Sequence, residues 1–142
     1  MKEQNFSNHG RYIPLYHFVM SFAMVVLLAG AIVNLVTSSH ENLYSASLLV
    51  LVALIFIPVF WYMRTFALRA QDRAIRAEEN FRHFLLTGKP LPQKIRMGQI
   101  IALRFAPDEE FAELVARVVT ENLTGKEIKQ AIKNWKADHH RA

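Results

Sequence analysis

Residues Leu15–Val36 read LYHFVMSFAMVVLLAGAIVNLV, and Tyr44–Met63 read YSASLLVLVALIFIPVFWYM. Neither stretch holds an Asp, Glu, Lys or Arg, and between Arg11 and Arg64 the only fully charged side chain is Glu41. A helix needs roughly 20 predominantly apolar residues to cross about 30 Å of hydrocarbon, and each stretch meets that length. The expected fold is therefore all-α: a two-helix transmembrane hairpin at about 15–36 and 44–63, then a long continuing helix and a small cytoplasmic helical domain. Residues 1–14 form a polar leading segment, 15–63 the hairpin and 64–142 the basic domain.

The ends of the two stretches carry the cues for orientation. Tyr12, Tyr16, Tyr44, Trp61 and Tyr62 lie near the span ends, where amphipathic rings favour the membrane interface. Arg64, Arg69, Arg73 and Arg76 follow the second span, and Lys2 and Arg11 precede the first. The connection Thr37–Asn42 has no Lys or Arg. Basic residues resist translocation, so both termini are expected in the cytoplasm. Ala29-Gly30-Ala31 has the small-x-small form of a signal cleavage site, but the apolar run continues past it to Val36, which favours a retained span. Pro58 removes one backbone donor inside the second span and is read as a tolerated membrane proline.

From Arg64 onward 15 Lys or Arg face 10 Asp or Glu, so this half carries the net charge of +5. No breaker occurs before Gly88, so the second helix is expected to run on for about six turns beyond the span. Phe66, Ala70, Ala74, Ala77, Phe81 and Phe84 then share one face, spaced by threes and fours. An alanine-rich apolar stripe of this kind wants a helical partner at close range, from this domain or from another protomer. Asp72 with Arg76 and Glu78 with Arg82 are acid-first pairs four apart, which support an exposed helix.

Beyond Gly88, Pro90 and Pro92 stiffen the turn. Ile95–Phe105 reads as a short apolar helix. A further helix opens at Pro107 with Asp108, Glu109 and Glu110 at the positive end of its dipole, burying Phe111, Leu114, Val115, Val118 and Val119. Thr124-Gly-Lys-Glu127 is a capping box that opens the last helix, whose Ile128, Ala131, Ile132 and Trp135 face inward. The expected core is Phe105, Phe111, Leu114, Val118, Ile128, Ile132 and Trp135.

The strings Met1-Lys-Glu-Gln-Asn, Arg76-Ala-Glu-Glu-Asn-Phe-Arg-His-Phe, Ile100-Ile-Ala-Leu-Arg-Phe-Ala-Pro-Asp-Glu-Glu-Phe and Ile132-Lys-Asn-Trp-Lys-Ala-Asp-His-His-Arg resemble a bacterial family of small membrane proteins, domain of unknown function number 6526. The resemblance runs nearly end to end. It implies a bacterial inner-membrane setting and supports the hairpin topology, and it brings no activity or site residues.

Chemistry is sparse. The chain has no cysteine, which excludes disulfides, thiolate nucleophiles and zinc-thiolate sites. It has no Gly-x-Ser-x-Gly elbow, His-Glu-x-x-His or dinucleotide fingerprint, so no enzyme and no cofactor is expected. Leu-Thr-Gly-Lys occurs at Leu86–Lys89 and Leu123–Lys126, but neither copy has the preceding glycine and following hydroxyl of a phosphate loop. Asp138-His139-His140 reads as an exposed tail in preference to a metal site. His17 and Asn34, 17 residues apart, are the polar groups of the first span; an interfacial histidine and a helix-bonding asparagine are the simpler readings.

Lys126, Lys129, Lys133 and Lys136 fall within about 80° of one another if the last helix continues that far. A solvated face is the simplest reading, and contact with anionic lipid is the first functional one. A helix-turn-helix on nucleic acid is an alternative, disfavoured because the helix offers no arginine for base reading. The functional expectation is an accessory or scaffold subunit of a membrane assembly, with lipid bilayer and an unidentified membrane protein or a second copy as partners.

Overall fold

The computed structural model describes residues 5–8, 10 and 12–138, and their regular structure is entirely helical. Lys2, Arg11, His139, His140 and Arg141, on which parts of the orientation and metal readings rest, lie outside the described residues. The chain divides into two compact units, Arg11–Phe66 and Ala67–Ala142, with Met1–Gly10 grouped to the latter.

In the Arg11–Phe66 unit, a π-helical turn at Leu15–Met20 leads into helix α1, Ser21–Thr37. The start is thus wider than the plain α-helix expected from the apolar run. The Ser21 hydroxyl donates to the Tyr16 carbonyl five residues back at 3.4 Å, a reach that matches a π turn. A 3-10 turn at His40–Asn42 then opens helix α2, Leu43–Thr87, which continues unbroken through Pro58. Hydroxyls along both helices return to backbone carbonyls: Thr37 to Val33 at 2.9 Å, Ser47 to Tyr44 at 2.7 Å and Thr65 to Trp61 at 2.9 Å. This local bonding satisfies polar groups on otherwise apolar helices without a partner elsewhere.

Large side chains of this unit point outward, with Val36 at 79% and Phe22 at 71% exposed, while the buried positions are Ala31, Ala46 and Ala53. Small residues inside and large ones outside invert the pattern of a water-soluble core. Leu15–Thr37 and the helical stretch containing Tyr44–Met63 are both long and apolar enough to cross a membrane. At the open end of the hairpin, the Tyr16 hydroxyl donates to the Phe60 carbonyl at 2.6 Å, its ring stacks on Phe60 at 4.2 Å, and the Arg64 guanidinium lies over the same ring at 5.8 Å.

In the Ala67–Ala142 unit, α2 ends at Gly88, whose φ of +71° suits glycine, and whose N–H donates to the Phe84 carbonyl at 2.8 Å. Helices α3 (Met97–Leu103), α4 (Asp108–Glu121) and α5 (Gly125–Ala131) follow. Helix α3 is central, since both α4 and α5 pack on it. The core joins Phe105, Phe111, Leu114, Val118, Ile128 and Ile132 to Ile75, Leu91, Ile95, Ile100, Leu103 and Val115. Trp135 is only partly buried, tilted against Phe105 at 4.9 Å, and Val119 is 38% exposed instead of lying on the buried face of α4.

The two Leu-Thr-Gly-Lys copies serve unrelated ends. Gly88 closes α2, whereas Gly125 opens α5 beside α3, where a Cβ would meet the Gly98 carbonyl oxygen at 3.0 Å. Thr124 and Glu127 form the expected capping box, with the Glu127 carboxylate accepting the Thr124 N–H at 2.7 Å and holding its own pKa below the usual 4.5. Asn122 ends α4 in the left-handed region at φ +52° and accepts from Arg96 at 3.2 Å.

Helix α5 is shorter than the sequence suggests. Ile132 is extended, and the Lys133 and Asn134 N–H groups donate to the Glu110 carboxylate at 3.0 and 3.1 Å, while the Lys136 N–H donates to the Phe105 carbonyl at 2.8 Å. A carboxylate at the start of α4 thus takes donors that a continuing helix would have turned on its own carbonyls. Charged acceptors make the stronger bond.

Candidate interaction face on the long helix

Two opposite faces of α2 define what its part beyond Phe66 can do. Ile75, Glu79 and His83 are buried, and Leu68, Gln71, Asp72 and Arg82 are half-buried. These positions recur every three or four residues and lie on the side roughly 160° away from the apolar stripe at 100° per residue. The domain thus covers the polar side of its long helix. Ala70, Ala74 and Ala77 remain exposed, with Phe81 at 62% and Phe84 at 51%; Phe66, in the hairpin unit, is exposed as well and stacks on Tyr62 at 5.5 Å.

The buried polar side is held by Arg82. Its guanidinium pairs with Glu79 at 3.1 Å and Asp108 at 2.6 Å, donates to the Ala106 carbonyl at 2.7 Å, and lies over the Phe111 ring at 4.2 Å. Burial pushes the Glu79 carboxyl above its usual 4.5, and the charge and hydrogen bond of Arg82 work against that rise. One residue on, His83 is fixed through Nδ1 to the Lys89 carbonyl at 2.8 Å. The acid-first pairs expected four apart, Asp72 with Arg76 and Glu78 with Arg82, do not form among the described residues; in the second, Arg82 turns instead to Glu79 and Asp108.

With Arg82 turned inward, Glu78 has no ion-pair partner among the described residues, and neither Arg73 nor Arg76 has one. Arg73 and Arg76 line one open groove of about 380 Å³ with Asn80, Leu91 and Ile95; Glu78 lines another, of about 320 Å³, with Glu79, Arg104, Lys136 and Asp138. The apolar face of α2 runs between an edge carrying Arg73 and one carrying Glu78.

The lysine cluster expected on the last helix is not a helix face. Lys126 and Lys129 lie on α5, with the Lys129 ammonium 5.7 Å from the centre of the Phe105 ring, whereas Lys133 and Lys136 follow in the bent and extended chain that Glu110 and Phe105 hold. Helix α5 has seven residues and packs on α3, so only two of the four lysines share it. Asp138 reaches back to the buried Arg104 at 3.1 Å. In the hairpin, His17 Nδ1 lies 3.1 Å from the Ile13 nitrogen and 2.9 Å from its carbonyl oxygen, a contact within its own turn, and Asn34 is exposed.

Neither Arg82 as a clamp nor Glu110 as an anchor was evident from the sequence. Both act on partners more than 20 residues away, and the only sign was a cluster of acids, Asp108 to Glu110, richer than one helix start requires.

No curated protein and no solved structure matches the chain. A family model does match, over residues 1–142, and the chain belongs to that family of unknown function, DUF6526.

Proposed function

We propose that the chain is an integral inner-membrane protein that crosses the bilayer twice, keeps both termini in the cytoplasm, and serves as an accessory or scaffold subunit of a membrane assembly. The observation that carries this reading is the outward apolar surface: a hairpin with large side chains outside and alanines inside, joined to an α2 face whose Phe81 and Phe84 stay uncovered while the domain packs on the opposite side. Patches of this kind on a folded chain mark lipid or protein contacts. The basic residues of the domain add attraction to an anionic cytoplasmic leaflet, worth about 1 kcal/mol for each charge near the surface.

Two experiments test it. Purification in mild detergent, followed by identification of co-purifying proteins, should recover a partner that Ala74→Asp or Ala77→Asp removes without blocking membrane insertion. The chain lacks cysteine, so single cysteines at Ser39 and Ala142 report orientation. An impermeant thiol reagent on intact spheroplasts should label the first and spare the second; the reverse pattern would overturn the proposed topology.

A further inference from the structure

We propose that the partner on the cytoplasmic half of α2 is a second copy of this chain, paired in parallel so that Ala67, Ala70, Ala74, Ala77, Phe81 and Phe84 each face their own counterparts. This deepens the scaffold reading and rests on it.

Those six positions are spaced 3, 4, 3, 4 and 3 residues apart, the repeat of a two-stranded seam, with Ala67, Ala74 and Phe81 in one register class and Ala70, Ala77 and Phe84 in the other. All six are exposed. The residues buried within the unit, Ile75, Glu79 and His83, occupy positions pointing away from that seam, so a second helix can approach without displacing the domain. Alanine at four of the six positions lets two backbones come close, while the phenylalanines supply apolar area where the helix leaves the alanine segment.

The edges select the occupant. Arg73 lies just before Ala74 on one side of the seam, and Glu78 just after Ala77 on the other. They are five residues apart, the spacing at which one parallel helix reaches across to its partner. Neither has an ion-pair partner among the described residues. A two-fold axis would therefore make the pair twice, Arg73 of each copy to Glu78 of the other, and a seam with Arg73 on one edge and Glu78 on the other is complementary to itself. Antiparallel pairing would set the Arg73 edge against itself. Copies inserted with one topology into one membrane also present this helix in the same direction.

The test uses the full chain in native membranes, with single cysteines at Ala70, Ala74, Ala77 or Arg76 and a mild oxidant. The three seam variants should form disulfide-linked dimers, and Arg76→Cys should not. Arg73→Glu added to Ala74→Cys should lower the cross-linked fraction about fivefold, and further addition of Glu78→Arg should restore it. Cross-linking at a single seam position would indicate antiparallel pairing, and equal cross-linking at Arg76 random collision; either overturns the proposal. Should seam cysteines block insertion, light scattering of the unmodified chain in mild detergent decides the matter: a dimer supports self-pairing, and a monomer overturns it. If no seam cross-link forms but Ala74→Asp still removes a different co-purifying protein, self-pairing fails and the scaffold reading stands. If no seam cross-link forms and Ala74→Asp removes nothing, both fail.

Discussion

The Glu110 carboxylate, at the start of α4, holds the backbone where α5 has ended, accepting the Lys133 N–H at 3.0 Å through one oxygen and the Asn134 N–H at 3.1 Å through the other. The Asn134 side-chain amide adds a third donor at 3.2 Å. Glu110→Ala should lower stability by about 1–2 kcal/mol, within the range for charged hydrogen bonds that are partly open to water. Thermal melts of the full chain in detergent check this. Glu110→Gln keeps one acceptor oxygen and should lose less than the alanine variant.

Glu79 gives the domain a pH dependence of defined sign. Burial raises its pKa above 4.5, with Arg82 opposing, so the folded chain holds this proton more firmly than the unfolded chain does. The stability it contributes is complete below 4.5 and is lost as pH rises through the folded value. Glu121 and Glu127 have lowered pKa values and contribute in the opposite sense, losing stability as pH falls. Glu79→Gln should therefore remove only the component lost with rising pH. The melting temperature of wild type minus that of Glu79→Gln should fall from about pH 4.5 toward neutrality, and a difference independent of pH would refute the assignment. Arg82→Ala should be worse than Glu79→Gln at neutral pH, by about 3–5 kcal/mol relative to wild type, because it leaves a buried carboxylate without its partner.

The apolar helices and the spacing of the α2 stripe were legible in the sequence because each is a periodic or continuous apolar signal over many residues. What failed to show was a helix face buried through polar groups. Glu79, Arg82 and His83 look like solvent residues until Asp108, Ala106 and Lys89 are brought to them by the chain's return. The end of α5 was missed for a related reason. Ile132 and Trp135 keep the apolar spacing of a continuing helix, and only the distant Glu110 reveals that their inward packing is reached in an extended chain. The π turn at Leu15–Met20 left no sign in hydropathy, which does not distinguish helical pitches over six residues.

Because Ile75 belongs to the same core as Leu91, Phe105 and Ile128, a fragment beginning after α2 lacks part of what it packs on. A 67–142 fragment is expected to melt cooperatively by circular dichroism, and an 89–142 fragment, deprived of Ile75, Glu79, Arg82 and His83, to melt broadly. Equal cooperativity in the two would mean that α2 is dispensable to the domain.

Two glycines facing each other across α3 and α5 separate packing from helix propensity. An added Cβ meets nothing within 4 Å at Gly98, but at Gly125 it meets the Gly98 carbonyl oxygen at 3.0 Å and the Ala102 Cβ at 3.8 Å. The oxygen belongs to the backbone of a short helix and has no rotamer by which to retreat. Gly98→Ala should therefore stabilise the chain by about 0.4–1 kcal/mol, through the lower entropy of the unfolded state. Gly125→Ala gains the same entropy but forces α3 and α5 apart, with overpacking costs of about 1–3 kcal/mol. The expected net effect is destabilising by up to about 2 kcal/mol. Melting temperatures of the two variants should move in opposite directions from wild type. A rise in both would show that α5 has room to shift off α3, and that the close approach of the two helices is not what fixes their packing.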